Sequence, residues 1–362
     1  AWEYWGAVAS NIHTTIDGKA DMKIPDTSRV YLMAGTQHVP VAFPPQYDEA
    51  EPGQLRENPL NYRPVLRALF VALDAWVRRH FIRAFMMDDA TRSDGLRYNP
   101  ATLIGAAVKD GWISSIYDPV TKYIPELKGS AYDGVSLRRL MTMTTGVKWN
   151  EDYANPKSDV ALAGFAPWTG GVNPLLAYMS QLRRETAPGT NWVYKTGETD
   201  LAGHALGRAL AGKSLAQYAS EKLWAPFGME QDAIWMVDKA GQERGGCCMS
   251  MTLRDYARIG LFMLGGGVID GKKILPDGWV EEATANHVPK AQAEKGDAYG
   301  YFWWPMEDGY RAVGIFGQGI YVYPEENLVI AVNSAMVKAS DRAQSQKTQA
   351  FIGAIRTAAN GG

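Results

Sequence analysis

Residues 298–334 read AYGYFWWPMEDGYRAVGIFGQGIYVYPEENLVIAVNS, a succession of short aromatic or β-branched segments separated by turn residues. Such segments are typical of strands, and we predict four of them, at 298–304, 310–316, 319–323 and 328–334. A helix is predicted to follow at about 344–358. Short strands in succession, closed by a helix, indicate an antiparallel meander with a helix packed on it.

The chain before this stretch has the periodicity of helices. Apolar residues recur every three or four positions, and Gly or Pro ends most of the segments. The helices are predicted at 101–109, 136–144, 200–211, 215–224 and 252–264. Thr252 lies three residues before Asp255, which is the spacing of a helix N-cap and its N3 partner. Helices that precede an antiparallel meander indicate the α+β fold class.

The composition of the 362 residues excludes several classes of protein. Hydrophobic residues make up 46% and charged residues 21%, a globular profile that excludes disorder. The net charge is −2, so no positive field attracts nucleic acid or an anionic membrane. No apolar run reaches the roughly 20 residues that span a bilayer. We expect no nucleic-acid partner and no membrane span, and the compartment stays open because no signal-peptide pattern is visible.

Motifs for metals, nucleotides and the common serine elbow are missing from the sequence. It contains no Cys-x-x-Cys and no His-Glu-x-x-His, and its five histidines are scattered. Cys247 and Cys248 are adjacent, so they are not expected to connect distant segments. There is no Gly-x-Ser-x-Gly, and no serine has a lysine three residues later. We expect neither a metal nor a cofactor.

Four motifs follow one another in an order that is typical of one enzyme family. They are 140–153 (LMTMTTGVKWNEDY), 245–260 (GGCCMSMTLRDYARIG), 270–280 (DGKKILPDGWV) and 299–304 (YGYFWW). From about residue 88 onward the chain resembles the serine β-lactamase and penicillin-binding-protein-like hydrolases, in the class C-like branch with esterases and aminohexanoate-oligomer hydrolases. The resemblance implies a domain at 81–362 with a β-lactamase-like antiparallel sheet packed with helices. The N-terminal strands that normally complete that sheet are missing from the match.

In this family a tyrosine serves as general base and a strand edge helps to hold the oxyanion. Residues 191–200 occupy the place of the tyrosine loop, so the resemblance makes Tyr194 the general base. A free phenol has a pKa of about 10 and needs nearby cations to ionise near neutral pH. Lys195 could supply that charge. The predicted oxyanion and substrate pocket consists of Ile315, Phe316, Gly317, Gln318, Tyr153 and Lys195.

The family's nucleophile is a serine at a helix N-terminus with a lysine one turn later. Counting back from 101–107, the corresponding helix should begin near Ser93. With a one-residue insertion, Ser93 is the nucleophile and Leu96 replaces the lysine. An ungapped match instead places Asp94 and Arg97 there, and Arg stays protonated, so it cannot act as a base. Either alignment loses the Ser–Lys pair, which predicts impaired catalysis.

Residues 1–80 resemble a different fold. The stretches 29–38 (RVYLMAGTQH) and 58–77 (NPLNYRPVLRALFVALDAWV) are similar to the C-terminal end of an α/β-hydrolase-domain family. That resemblance implies a short fragment of one strand and one helix before the β-lactamase-like domain. His38 follows the predicted strand as a triad histidine would. Since the sequence contains no nucleophile elbow, we interpret His38 as a vestigial triad residue.

Two classes of function remain open at this point. The first is a serine hydrolase that acts on an ester, amide or lactam bond of a small molecule through an acyl-enzyme, with reduced activity. The second is a catalytically inactive pseudo-hydrolase, or a ligand-binding fusion of two hydrolase fragments. Covalent labelling of Ser93 by a serine-reactive probe separates the two.

Overall fold

The computed structural model describes residues 83–86 (backbone only), 100–164, 166–168, 170–334, 336 and 338–360. Ser93, His38 and the strand and helix predicted within 1–80 lie outside the described residues. The division into domains at 1–80 and 81–362 therefore stays a prediction. Within the described ranges, none of the helices combines the length and the apolar composition that crossing a membrane requires.

The described strands form three sheets. They are β1 Arg83–Met86, β2 Ile234–Val237, β3 Met249–Ser250, β4 Val268–Ile269, β5 Lys272–Lys273, β6 Trp304–Met306, β7 Gly309–Val313, β8 Gly319–Tyr323 and β9 Leu328–Val332. β1 pairs in parallel with β2, which pairs antiparallel with β3, and β4 and β5 form an antiparallel pair. The largest sheet is antiparallel, with the order β6-β7-β8-β9. This sheet is the meander that the sequence predicts.

Helices precede and follow the large sheet. They are α1 Pro100–Lys109, α2 Leu137–Met141, α3 Asp159–Gly164, α4 Pro174–Ser180, α5 Thr196–Ala209, α6 Leu215–Ala219, α7 Leu253–Leu264, α8 Trp279–Thr284, α9 Lys290–Ala293 and α10 Arg342–Asn360. A π-helical segment, Ser220–Trp224, continues α6. The first eight residues of α1 are buried, so this helix lies inside the main core.

Both faces of the large sheet are covered by helices. α7 packs so closely on one face that a Cβ at Gly260 would lie 2.5 Å from Val329 Cγ1. On the other face, Tyr321 and Tyr323 of β8 form a second core with Ile352 of α10. Because successive residues of a strand point to opposite sides, β8 contributes to both cores. This layering of helix, sheet and helix confirms the predicted α+β class.

The predicted strand at 298–304 is wrong for all but its last residue. Only Trp304 joins a strand, as the first residue of β6. Gly300 N–H donates to the Trp303 carbonyl (2.8 Å), and Phe302 has a left-handed φ of 60°, so the chain turns here. The aromatic side chains within 299–303 are buried. Their composition reflects core packing and not strand pairing.

The helix predictions differ from the structure mainly at the ends. The helix predicted at 252–264 is confirmed as α7, and the Thr252 hydroxyl accepts the Asp255 N–H at 3.2 Å. The helix predicted at 136–144 stops with α2, because Met143 takes a left-handed φ of 53°. α5 begins at Thr196, four residues before the predicted start at 200. This earlier start brings the helix N-terminus next to Tyr194.

Candidate active site around Tyr194

Tyr194 lies two residues before α5, in a cluster of aromatic rings. Its ring stacks on Trp304, with centroids 5.7 Å apart and planes inclined by 20°. Tyr299 meets the same ring edge-on at 5.8 Å. Trp192 contacts Tyr299 at 5.6 Å and Trp304 at 6.0 Å. Since aromatic pairs of this kind contribute roughly 0.5–1.5 kcal/mol each, the cluster holds the Tyr194 ring in one orientation.

The backbone before Tyr194 is fixed by hydrogen bonds from two other elements. Trp192 N–H donates to Gln292 Oε1 (2.6 Å), and Gln292 Nε2 donates back to the Trp192 carbonyl (2.9 Å). Val193 N–H donates to the Met143 carbonyl (3.2 Å). Gln292 belongs to α9 and Met143 follows α2. Segments distant in sequence therefore position the chain that enters α5.

Lys195, at the N-cap of α5, is buried against Glu198. Their side chains are 1% and 0% exposed, and Lys195 Nζ lies 3.5 Å from Glu198 Oε1. Nζ also donates to the Val193 carbonyl (3.0 Å), and the Thr145 hydroxyl donates to the same carboxylate. Burial raises the pKa of Glu198 to about 7, although Lys195 and Thr145 act to lower it. The ammonium predicted to line the pocket is thus engaged in a buried ion pair.

Through Glu198, the free energy of unfolding is expected to fall as the pH rises from about 4.5 to about 7. Folding raises the pKa of this carboxyl, so in that range the folded chain binds the proton more tightly than the unfolded chain does. This stabilisation is fully present below the pKa that Glu198 has in the unfolded chain. It is lost as the pH rises through the pKa that Glu198 has in the folded chain. Urea denaturation at pH 5 and pH 8 measures it. Between these pH values the free energy of unfolding of the wild type should fall by up to about 3 kcal/mol more than that of Glu198→Gln. Equal decreases in the two proteins would contradict the raised pKa of Glu198.

Glu151 accepts four hydrogen bonds at the start of α5. Thr196 donates through its backbone N–H (3.0 Å) and through its hydroxyl. Trp149 donates its indole N–H, and Tyr153 donates its hydroxyl (2.5 Å). The hydroxyls of Tyr153 and Thr196 are also 3.0 Å apart. Because a carboxylate at a helix N-terminus is stabilised by the helix dipole, Glu151 anchors the helix that follows Tyr194.

Glu151→Gln is expected to lower the free energy of unfolding by about 1–3 kcal/mol, because an amide is a weaker acceptor for these donors than a carboxylate. Any hydrolytic turnover should fall about tenfold, since the segment with Tyr194 loses part of its anchor. Urea denaturation and ester kinetics measure the two effects. Glu185→Gln, at an exposed carboxylate, is the matched control. If both variants behave like the wild type, Glu151 has no anchoring role.

The segment predicted to form the oxyanion edge leaves the sheet after Val313. Ile315–Gly317 forms a 3-10 turn in which Phe316 has a left-handed φ of 65°. Phe316 N–H donates to the Ala339 carbonyl (3.0 Å), and the Phe316 carbonyl accepts from Met336 N–H (3.0 Å). The turn is therefore held against the segment before α10. The backbone amide of Phe316 already has an acceptor within the protein.

A cavity of 440 Å³ opens between this turn and the start of α10. Of the predicted pocket residues, Gly317 and Gln318 line it. The predicted site residues outside its described lining are Ile315, Phe316, Tyr153, Tyr194 and Lys195. Tyr153, Tyr194 and Lys195 belong to the start of α5, and Gly317 and Gln318 line the cavity beside α10.

Within the described ranges, no cluster of three or more His, Cys, Asp or Glu side chains could hold a metal ion. Cys247 and Cys248 are joined to each other by a disulfide bond. The bond links adjacent residues and connects no distant segments, as their positions in the sequence predict. The polar groups at the start of α5 include hydroxyls, a backbone amide, an indole N–H, an ammonium and two carboxylates.

A sequence model of the Beta-lactamase family matches residues 101–354. The chain belongs to the beta-lactamase family. It is 32% identical to the 6-aminohexanoate-dimer hydrolase of Paenarthrobacter ureafaciens over 244 aligned residues. The alignment covers 63% of this chain and 62% of that protein. The beta-lactamase-family chain therefore spans less than two thirds of that relative's length.

Solved structures agree with the family assignment. A Bacillus anthracis structure, provisionally described as a 6-aminohexanoate-dimer hydrolase, is 25% identical with a TM-score of 0.60. The match covers 71% of this beta-lactamase-family chain and 70% of the other. EstCE1, a hydrolase with promiscuous acyltransferase activity, gives a TM-score of 0.55 over 72% of this chain and 85% of its own, at 16% identity. That lower identity shows a shared fold alone.

The four motifs predicted membership of this family and its fold. Both predictions are confirmed for residues 101–354. The roles of the site residues stay predictions. Ser93 and His38 lie outside the described residues. Two carboxylates that the sequence reasoning missed, Glu151 and Glu198, accept hydrogen bonds next to Tyr194.

Proposed function

We propose that this chain is a serine hydrolase that cleaves ester or amide bonds of small molecules, lactams included, through an acyl-enzyme. Ser93 is the proposed nucleophile and Tyr194 the proposed general base. The observation that carries the proposal is the Tyr194 phenol, fixed by Trp304 and Tyr299 at the start of α5. Membership of the beta-lactamase family and a relative named as a 6-aminohexanoate-dimer hydrolase support it.

In the proposed reaction, the phenolate of Tyr194 takes the proton of the Ser93 hydroxyl while the serine oxygen bonds to the substrate's carbonyl carbon. The tetrahedral intermediate collapses when the bond to the leaving group breaks. Tyr194 then gives its proton to the departing alcohol or amine, and the acyl group stays on Ser93. Water then bonds to the acyl carbon while the phenolate takes its proton. The bond between that carbon and the Ser93 oxygen breaks, Tyr194 returns the proton to the serine oxygen, and the acid is released.

Two features support a slow reaction. Leu96 stands three residues after Ser93, where the family's helper amine would be. Lys195, the cation next to Tyr194 in sequence, pairs with Glu198 at 3.5 Å, which neutralises much of its positive potential. A phenol needs nearby cations to ionise near neutral pH, and both of these features reduce the positive charge available to Tyr194. We expect turnover that is measurable but far below that of a complete Ser–Lys–Tyr site.

The test combines a substrate panel with covalent labelling. The full chain is incubated with a chromogenic short-chain ester, the linear 6-aminohexanoate dimer and a chromogenic cephalosporin, and separately with a fluorophosphonate. Mass spectrometry of the digested protein then locates the adduct. Turnover that Ser93→Ala abolishes, with an adduct on the peptide that contains Ser93, supports the proposal. A folded protein with no turnover and no adduct is the inactive pseudo-hydrolase.

Leu96→Lys is expected to raise the rate of fluorophosphonate labelling and of ester turnover by about 10–100-fold. The change places an amine three residues after Ser93, where the family has its lysine and where it can help to deprotonate the hydroxyl. Leu96→Met, which keeps the length without the amine, is the control. Labelling rates that are equal in the two variants would contradict the alignment that makes Ser93 the nucleophile.

A further inference from the structure

The disulfide between Cys247 and Cys248 has no part in the proposed reaction, and it is not a cross-link between distant parts of the fold. A disulfide stabilises a protein mainly by restricting the unfolded chain, and the effect grows with the length of the loop that it closes. Adjacent residues enclose almost no loop. The bond instead restricts the local backbone, because it closes a small ring that contains the peptide bond between the two cysteines. Its effect therefore depends on the segment in which it lies.

Residues 244–248 form a loop whose two ends are held by one residue of β2. Arg244 N–H donates to the Met236 carbonyl (3.0 Å), and Met236 N–H donates to the Cys248 carbonyl (2.9 Å). Within this loop Cys248 has a left-handed φ of 77°, a conformation that residues other than glycine rarely adopt. Because both ends of the loop are fixed, a change of conformation at Cys248 must move the residues between them.

The middle of this loop packs on the start of α5. Gly246 N–H donates to Asp200 Oδ1 (2.8 Å), and Arg244 Nη2 lies 3.1 Å from Asp200 Oδ2. The Asp200 side chain is 2% exposed. A Cβ at Gly246 would lie only 2.9 Å from Thr196 Cγ2, so no free space separates the loop from the helix. A movement of the loop therefore reaches α5 directly.

Cys247 is the more accessible of the two cysteines. It is half-buried, whereas Cys248 is 6% exposed. We expect the thiolate of a dithiol reductant to attack the Cys247 sulfur, so that the Cys248 sulfur leaves as a thiolate and takes up a proton. The second thiol of the reductant then attacks the mixed disulfide and releases Cys247 as the second thiol. The chain gains two electrons and two protons, and the reductant becomes a disulfide.

We propose that Cys247 and Cys248 form a reversible redox switch, which a dithiol reductant opens and a small-molecule disulfide closes. In the disulfide form, the loop at 244–248 is held on α5. In the dithiol form, the ring is open, Cys248 leaves the left-handed region, and the hydrogen bond from Gly246 to Asp200 is lost. The redox change requires no hydrolysis, so the switch goes beyond the proposed function.

The switch is connected to the candidate active site through Thr196. The loop contacts this residue, which donates its backbone N–H and its hydroxyl to Glu151. A looser loop therefore weakens the anchor of the segment that contains Tyr194. We expect reduction to lower ester turnover about three- to tenfold, and this effect alone rests on the proposed function.

Thiol titration and hydrogen exchange of the full chain test the switch. The chain contains only two cysteines, so an air-oxidised sample should show no free thiol and a sample treated with dithiothreitol should show two. After reduction, amide exchange measured by mass spectrometry should be at least about fivefold faster in the peptides that contain 244–248 and 196–200. The peptide that contains α10 should exchange equally in both samples. Oxidised glutathione should restore the slow exchange.

The control is Cys247→Ser/Cys248→Ser, which lacks the bond and has side chains of similar size. It should exchange like the reduced wild type, with or without dithiothreitol, and this separates loss of the bond from other effects of the reductant. Circular dichroism of both proteins verifies folding, and the wild-type comparison itself needs no substitution.

Three results would each overturn the switch: free thiols in the air-oxidised chain, a disulfide that dithiothreitol does not reduce in the folded protein, or equal exchange before and after reduction. Equal ester turnover in the two states would contradict the connection to the candidate active site. A chain that shows the expected thiols and exchange but hydrolyses no substrate would contradict the proposed function and support the switch.

Discussion

Tyr194→Phe is expected to lower kcat/KM for a chromogenic ester by about 10²–10⁴-fold, the usual contribution of a general base. The substitution removes only the hydroxyl, so the stacking on Trp304 and the edge contact with Tyr299 are retained. Because the base acts in the transition state, kcat should fall while KM changes little. Steady-state kinetics on the ester measures both constants.

Tyr299→Phe is the matched control for this experiment. Tyr299 is buried in the same aromatic cluster, and its ring contacts both Tyr194 and Trp304. Loss of its hydroxyl removes no proposed base, so kcat should stay within about threefold of the wild-type value. If Tyr194→Phe is as active as Tyr299→Phe, the phenol of Tyr194 is not the base.

Lys195→Met is expected to lower the free energy of unfolding by about 3–5 kcal/mol near neutral pH, the typical cost of removing one partner of a buried ion pair. The variant leaves Glu198 buried without its cation. Since the pKa of Glu198 is already raised by burial, the carboxyl can stay protonated at low pH. The loss should therefore be larger at pH 8.5 than at pH 5.5. Urea denaturation at the two pH values measures it.

Two further variants make the result for Lys195 specific. Lys213→Met removes a partly exposed lysine that pairs with Glu221, and it should cost less than about 1 kcal/mol. The double variant Lys195→Met/Glu198→Leu removes both charges and should recover part of the stability. A single variant that loses no more stability than Lys213→Met would contradict the buried pair.

The parts of the fold that depend on local sequence could be predicted. α7 begins where Thr252 and Asp255 have capping spacing, and β8 has the predicted bounds, because both signals lie within a few residues. The segment at 298–304 could not be predicted correctly. Its aromatic residues suit a strand or a buried turn equally well, and the left-handed Phe302 is set by tertiary contacts.

The sequence predicts where the candidate site lies in the chain, but not the contacts that its residues make. The motif around Tyr194 predicts that this residue is the general base, but the contacts that position its segment come from residues such as Gln292, which binds Trp192 from 100 positions away. A local sequence pattern does not predict contacts between residues so far apart in the chain. Glu151 had one available signal, an acidic residue flanked two positions away by Trp149 and Tyr153. The burial of Lys195 had none, because an isolated lysine in a polar segment is typical of a solvated loop.

The proposed covalent catalysis requires that a serine hydroxyl and the Tyr194 phenol share one cleft. A crystal structure of the fluorophosphonate-treated protein measures this most directly. We expect phosphonylated Ser93, with its Oγ about 2.6–3.2 Å from Tyr194 Oη. Ser93 far from Tyr194, with no other hydroxyl of the chain facing the phenol, would contradict covalent catalysis by this protein.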